Sequence, residues 1–412
     1  MSADSHKHDL PHFVGIDIGT SQVRCVVGAV NNAGEPEIIG YGIAENSGMR
    51  KGVVTHADEV TNAVISAINE AERHSGRRVS AATVNINGSH VSGVNSKGVI
   101  AISAANREIT NDDRYRVEEA AAVMQLPANR EIIQVFPKNY RLDGQDNIKD
   151  PVGMQGVRLE VDTHIVTAST PSVKSLDNAL AKAEVGIKHR TVSSLAAAEA
   201  VLTRQQKEAG TVVVDIGAGT TNIVVIEDGE VQHVAVVPMG STHVTNDLAI
   251  GLKTDLDVAE RVKLTHANLS SKNHRSVAAV TVGNTQHTFN ADDVRMIIEA
   301  RVEELFEYVD KELKKVNRSR KLPGGAVLVG GGAKLPGIAE FAREQLQLPA
   351  RVGSLLPIGG LSDISEDTAY IPCIGLMLLD MILDNAGQSG YDSEPASIMK
   401  SVGRIFGKFR KK

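Results

Sequence analysis

Apolar positions near the start of the chain fall in short runs separated by polar turns. VGIDIGTSQVRCVVGAV (Val14–Val30) reads as an apolar strand, a glycine loop and a second apolar strand, and NNAGE (Asn31–Glu35) turns the chain into a third. The pattern returns at VVVDIGAGTTNI (Val212–Ile223), where Asp215-Ile216-Gly217 matches Asp17-Ile18-Gly19. After a two-residue gap, Thr220-Thr221-Asn222-Ile223 matches Thr20-Ser21-Gln22-Val23. The second copy's turn carries Asp228-Gly229, a strong hairpin signal. Two distant copies predict two similar halves; a solenoid would repeat every ~20–50 residues.

Between the copies, a helical period covers Ala57–Arg73, and short strands run from Ala81 to about Ile102. Thr110-Asn111-Asp112-Asp113 supplies capping residues before the helical RYRVEEAAAVMQL. IIQVFPKNYRL and VRLEVDTHIVTAS read as strands, so 85–166 is expected to be a small separate α+β unit. Helices follow at Ser172–Ala183 and in TVSSLAAAEAVLTR. Beyond the second copy, STHVTNDLAIGL and DLDVAERVKLTHANL predict helices, VAAVTVGNTQHTF a hairpin, and about 291–316 a long helix. AVLVGGGAKLPGI (Ala326–Ile338) gives a strand, a glycine loop and a helix start. IPCIGLMLLDMIL (Ile371–Leu383) is too short for a bilayer span and carries Asp380, so it is expected to be a buried helix.

A polar linker at 385–396 leads to a segment of different character. In 397–412, Ile398, Met399, Val402, Ile405, Phe406 and Phe409 form one helical stripe, and Lys400, Arg404 and Lys408 are among the basic residues around it, with no acid. A basic amphipathic helix of this type lies in an anionic membrane interface, with ~1 kcal/mol from each basic residue near the surface. Gly403 and Gly407 lower its helicity, so it is expected to fold on lipid.

Composition narrows the classes. The 412 residues are too many for one small core, and a net charge of -6 excludes a chain that binds nucleic acid through overall charge. Two cysteines, Cys25 and Cys373, make no disulfide framework. The polar N-terminus, 1–12, has no apolar segment of the signal-peptide kind and reads as a disordered tail.

Glycine-rich hairpin loops point backbone N–H groups at an anion, because no Cβ blocks the approach. Gly19-Thr20-Ser21 and Gly217–Thr221, facing each other, would clamp a triphosphate between two domains. Neither loop is a P-loop or a dinucleotide fingerprint. The acids at their starts, Asp17 and Asp215, make sense beside phosphate only with a cation between, and Mg²⁺ needs no more than one or two carboxylates. The third loop, Gly330-Gly331-Gly332-Ala333-Lys334, leaves backbone open to a flat base. Glu260 and Lys263 share one helix face, at the spacing of a surface ion pair.

Taken together, DIGTSQVR, DIGAGTTNI, AERVK and LVGGGAKLPGI resemble the actin/Hsp70/sugar-kinase superfamily and, within it, FtsA, a bacterial cell-division family. The resemblance implies an α/β, two-lobed actin-like ATPase fold with duplicated mixed-sheet domains, an inserted small α+β subdomain and a C-terminal amphipathic helix. One lobe would comprise 13–84, 167–204 and about 350–384, with the insert at 85–166. The other would comprise 205–248 and 323–349, with 249–322 as its outer subdomain. ATP with Mg²⁺ would meet Gly19, Thr20, Ser21 and Gln22 from the first loop, and Gly217, Gly219, Thr220, Thr221 and Asn222 from the second. Gly240, Glu260, Lys263, Gly330, Gly331, Gly332 and Lys334 would complete the site, with Asp17 and Asp215 at the metal. No separate catalytic base is evident, which predicts slow hydrolysis at most. The implied partners are the C-terminal peptide of the tubulin-like protein FtsZ, met by Arg301 with Arg295, anionic lipids, further copies of the chain and later division proteins. The implied location is the cytoplasmic face of the inner membrane at the division site. Two alternatives share the superfamily. A small-molecule kinase leaves the tail without purpose, and a PilM-like pilus-assembly homologue is expected to lack it.

Overall fold

A computed structural model describes residues 11–103, 106–123, 126–270 and 277–388. The chain opens with a meander, β1 (His12–Ile18), β2 (Gln22–Val30) and β3 (Pro36–Glu45), followed by a tight hairpin of β4 (Met49–Arg50) and β5 (Val53–Val54). Next come α1 (Ala57–Ser75) and β6 (Ala81–Asn85). The insert contains β7 (Ser92–Ala101), α2 (Asn111–Ala122), β8 (Arg130–Leu142), β9 (Gln145–Ile148) and β10 (Arg158–Ser169). The first lobe resumes with α3 (Thr170–Lys182), β11 (Gly186–Thr191), α4 (Ser193–Val201) and α5 (Arg204–Ala209). The second half repeats the opening as β12 (Thr211–Ile216), β13 (Thr221–Glu227) and β14 (Glu230–Val237), then adds α6 (Ser241–Gly251) and α7 (Leu256–His266). It continues with β15 (Val277–Val282), β16 (Thr285–Asn290), α8 (Ala291–Lys315), β17 (Gly325–Val329), a 3₁₀ turn at Gly331–Lys334 and α9 (Ile338–Leu346). The described chain closes with β18 (Ala350–Val352), β19 (Gly359–Gly360), α10 (Ser362–Ser365) and α11 (Ile371–Gln388).

Both halves have one topology. In the first sheet β1 pairs antiparallel with β2, β2 antiparallel with β3, and β1 parallel with β6. In the second, β12, β13, β14 and β17 take those same places. Alternation along β1 sorts its faces: Val14, Ile16 and Ile18 pack with α1 and α3 residues such as Val64 and Leu180, while Phe13 joins Cys373 and Met377 of α11. In β12, Val212, Val214 and Ile216 face α6–α9, and Val213 faces α4 and α11.

Helices α4 and α11 form the layer shared by the two lobes. A Cβ on Gly375 would stand 2.0 Å from the Ala196 carbonyl, so only glycine allows these helices to cross this closely. Asp380, fully buried on α11, accepts from Val14 N (2.9 Å), Thr83 Oγ1 (2.9 Å) and Lys188 Nζ (3.0 Å). A charge without water is tolerable only with such partners.

One expectation needs correction. The segment TVSSLAAAEAVLTR is not one helix: α4 ends at Val201, and Thr203 starts α5 with a reciprocal cap to Gln206. The insert is a small α+β unit as expected, with its own core around Val117, Tyr140, Leu159 and Val161. Ser92 of β7 pairs with Ala235 of β14, so the insert's strands extend the second lobe's sheet into nine strands among the described residues. His164 Nε2 accepts from Val234 N at 3.0 Å and Lys138 Nζ donates to the Gln232 carbonyl at 3.0 Å, sealing the seam. Helix α11 runs to Gln388, past the start of the expected linker, and the tail at 397–412 lies outside the described residues. Among the described residues no helix is long and apolar enough to cross a membrane.

Candidate functional site

The two repeated hairpins meet at the cleft between the lobes. Gly19 N–H donates to the Gln22 carbonyl at 3.0 Å, and Gly217 N–H to the Thr220 carbonyl at 2.9 Å. The strand register sets Asp17 opposite Arg24 and Asp215 opposite Asn222. The copies therefore align without the gap that matching threonines suggests: Thr20 corresponds to Ala218, Ser21 to Gly219 and Gln22 to Thr220. Backbone closure, not side-chain type, fixes the correspondence. The loops touch at their tips, where a Cβ on Gly219 would stand 2.7 Å from Thr20 Oγ1.

Behind the tips lie the two acids, both buried. Asp17 accepts from Asn85 Nδ2 at 2.5 Å and from Ser193 Oγ at 3.4 Å. Burial raises its pKa above the ordinary carboxylate value, against the lowering effects of Arg24 and these donors. Asp215 has one donor, Asn222 Nδ2 at 3.1 Å, and is pushed up to about 7, first by burial and next by the charge of Asp17. Two acids that disfavour each other's ionisation fit a divalent cation, which reverses that penalty. Among the described residues no group of three or more His, Cys, Asp or Glu converges, so a cation here would complete its shell with water and phosphate oxygens.

Glycine is required around these acids for space. A Cβ on Gly330 would stand 2.4 Å from Asp215 Oδ1, and Gly330 also takes φ +83°. A Cβ on Gly240 would stand 2.4 Å from the Gly217 carbonyl. Helix α6 starts here, with Ser241 N–H on that carbonyl at 2.9 Å. Gly331 faces open space, Gly332 lies against the Ile216 side chain, and Lys334 pairs with Asp367 at 2.7 Å.

The other expected residues divide. Ser21 is exposed, whereas Thr220 is buried in the second loop. Gln22 Oε1 accepts from Arg24 at 2.5 Å. Thr221 is not at the cleft surface: fully buried, it donates to the Met239 carbonyl at 2.8 Å, because its strand position turns it into the core. Asn222, also buried, orients Asp215 instead of facing a phosphate. Glu260 and Lys263 pair at 2.7 Å, and Thr245 Oγ1 joins them by donating to Glu260 (2.5 Å) and accepting from Lys263 (2.9 Å). Lys263 also reaches the Ser241 carbonyl at 3.4 Å, so this is a half-buried triad beside the second loop, not a solvated pair. Arg301 lies apart on α8, bidentate on Asp247 (2.5 and 3.0 Å) and paired with Glu304; Arg295 pairs with Asp292 at 3.4 Å.

Sequence reading missed Asn85, Ser193 and Asn46. Asn85 ends β6 and also accepts from Ile18 N at 2.7 Å, and Asn46 Nδ2 holds the Gly19 carbonyl at 2.8 Å. The signal for Asn85 was present: AATVN is another apolar strand ending in a polar residue, as at Asp17 and Asp215.

Residues 88–167 match a family described as the SHS2 domain inserted in FTSA, and residues 212–375 match Cell division protein FtsA. A Cell division protein FtsA from Pseudomonas aeruginosa is 33% identical over 381 residues, covering 92% of this chain and 91% of its own. Two solved structures share the fold. A PilM-PilN type IV pilus biogenesis complex chain matches with TM-score 0.64 at 17% identity, covering 89% of this chain and 98% of its own. MreB 5 of Spiroplasma citri bound to AMPPNP matches with TM-score 0.54 at 13% identity, covering 92% and 99%. The fold is that of actin-like ATPases.

Proposed function

The chain belongs to the FtsA family of cell-division proteins, and from that premise we propose that it binds ATP with Mg²⁺ between its lobes and tethers FtsZ filaments to the cytoplasmic face of the cell membrane at the division site. The observation that carries the nucleotide reading is the pair of identically closed hairpins that touch at Thr20 and Gly219 with Asp17 and Asp215 behind them. Loop N–H groups grip phosphate oxygens, and the acids orient the metal's water shell. Mg²⁺, held through Asp17 and Asp215, would offset the charge of the phosphates. The triad of Thr245, Glu260 and Lys263 flanks the ribose and adenine side, and Gly331 with Gly332 offers backbone to the base. Lys334, paired with Asp367, stands at the end of that loop.

Membrane attachment rests on the basic amphipathic stripe from Ile398 to Phe409. FtsZ recognition falls on α8 around Arg301, where an acidic peptide competes with Asp247 for the guanidinium. The protein self-associates into actin-like filaments and hydrolyses ATP slowly, so nucleotide serves mainly as a switch. The PilM likeness is one of fold; an amphipathic tail and sequence relatives named for cell division favour the division role.

The test is co-sedimentation of the full chain with anionic vesicles, with and without FtsZ, beside a chain lacking 397–412. FtsZ should reach the vesicles only with the full chain. FtsZ recruitment by the shortened chain, or none by the full chain, contradicts the tether. Steady-state turnover above ~10 s⁻¹, a typical enzyme value, contradicts the switch role.

A further inference from the structure

The β4–β5 hairpin lies beside the point where the phosphate loops meet, and no role has been given to it. Its turn is Lys51-Gly52, with both residues left-handed at φ +50° and +74°, the geometry of a two-residue hairpin turn. Gly52 is buried and fixed: its N–H donates to Thr20 Oγ1 at 3.2 Å, and a Cβ there would stand 2.7 Å from Gly88 Cα. Lys51, one residue earlier, is exposed. A rigid turn thus carries a long cationic side chain past the tip of the first phosphate loop.

Across the cleft stands His243, in the first turn of α6, with Nδ1 3.2 Å from Gly240 N. Its protonation is disfavoured first by burial and then by the charges of Lys51 and Arg301, against the Gly240 hydrogen bond and the charge of Asp247. The other expected cations of the site are neutralised, Lys263 by Glu260 and Lys334 by Asp367. Lys51 has no carboxylate partner among the described residues. Among the described residues the site has two buried acids, and the cation beside them, Arg24, is held by Gln22.

We propose that Lys51 is a third phosphate-reading element, whose ammonium pairs with the terminal phosphate of ATP where Thr20 meets Gly219 and has no partner on ADP. The inference rests on the nucleotide reading above and deepens it. An anion between Lys51 and α6 joins the lobes electrostatically, so the turn distinguishes tri- from diphosphate while the loops hold what both nucleotides share.

The test is equilibrium binding of ATP and of ADP, each with Mg²⁺, to the full chain and to its Lys51→Ala, Lys51→Arg and Lys174→Ala variants. Lys174 is exposed on α3 and controls for the loss of one positive charge. Lys51→Ala should lose about tenfold in ATP affinity, the scale of one charge-assisted hydrogen bond, and keep its ADP affinity. Lys51→Arg should restore most of the ATP affinity, and Lys174→Ala should change neither. Equal losses for both nucleotides, or no loss for ATP, overturn the inference while leaving the nucleotide site standing. If the unaltered chain binds neither nucleotide, the site reading fails and takes this inference with it.

Discussion

The first and second phosphate loops share a backbone and differ in what surrounds it. Both leave an apolar strand through a buried aspartate, and both close with a glycine N–H on the carbonyl three residues on. Opposite Asp17 the register places Arg24, and opposite Asp215 it places Asn222. Asp17 also has Asn85 and Ser193 as donors, whereas Asp215 has the Asn222 amide and a glycine, Gly330, where a side chain would meet its carboxylate. Burial raises both acids, and at the first the charge of Arg24 and two donors from its own lobe act against that rise. The second is held near neutrality and accepts its charge readily only when a cation arrives. A duplicated loop can keep its geometry while dividing its electrostatic roles.

The most severe way to break this comparison is to remove each charge. Asp215→Asn and Asp17→Asn should each weaken Mg²⁺-dependent ATP binding by about 100-fold, or about 2.7 kcal/mol. Without ligand they should part. Asp215→Asn removes a buried repulsion and should melt higher, whereas Asp17→Asn disturbs a satisfied network and should cost about 1–3 kcal/mol. Melting shifts of the same sign would show that the two acids are equivalent.

Proton linkage sharpens the same point. Asp215 titrates near 7 in the folded chain, against an ordinary 3.8. Between those values the folded state binds more protons than the unfolded state, so this group's contribution to stability is complete at low pH and lost as pH rises through about 7. The ligand-free protein should lose melting temperature over that window, and Asp215→Asn should flatten this part of the profile. An unchanged slope in the variant would assign it elsewhere, the half-buried Glu230 also being pushed up to about 7.

Asn85→Ala should act only on the first loop. It removes a donor from Asp17 and an acceptor from Ile18 N, leaving both groups buried, and should cost about 1–3 kcal/mol in thermal or denaturant unfolding. The residue also marks the boundary of what was legible. The paired hairpins could be read because each closes on itself within a few positions. The support of Asp17 could not, because Asn85 and Ser193 lie 68 and 176 positions away in sequence. The insert's junction with the second lobe was hidden for the same reason: strand pattern gives the faces of β7 and β14 but not which edges meet. Thr221 was misjudged as a phosphate ligand because its hydroxyl is identical in sequence to that of Thr220, and only strand register tells them apart.

The smallest expected effect lies just beyond the loops, where the comparison continues. The first loop is backed by a turn, through Gly52 N–H on Thr20, and the second by a helix, through Ser241 N–H on Gly217. That helix carries Thr245, whose hydroxyl stands between Glu260 and Lys263. An ion pair with Glu260 partly exposed contributes about 1 kcal/mol or less, so Thr245→Val should barely move the melting temperature. The hydroxyl's work is orientation: without it both long side chains regain rotamers that point away from the cleft. Affinity for ATP and ADP should then fall equally, by a few-fold (about 1 kcal/mol), because the triad flanks the part the two nucleotides share. A fall for ATP alone would place these residues at the terminal phosphate, on the side we assign to Lys51. No fall for either would return Glu260 and Lys263 to a purely structural pairing and leave nucleotide recognition to the three glycine loops.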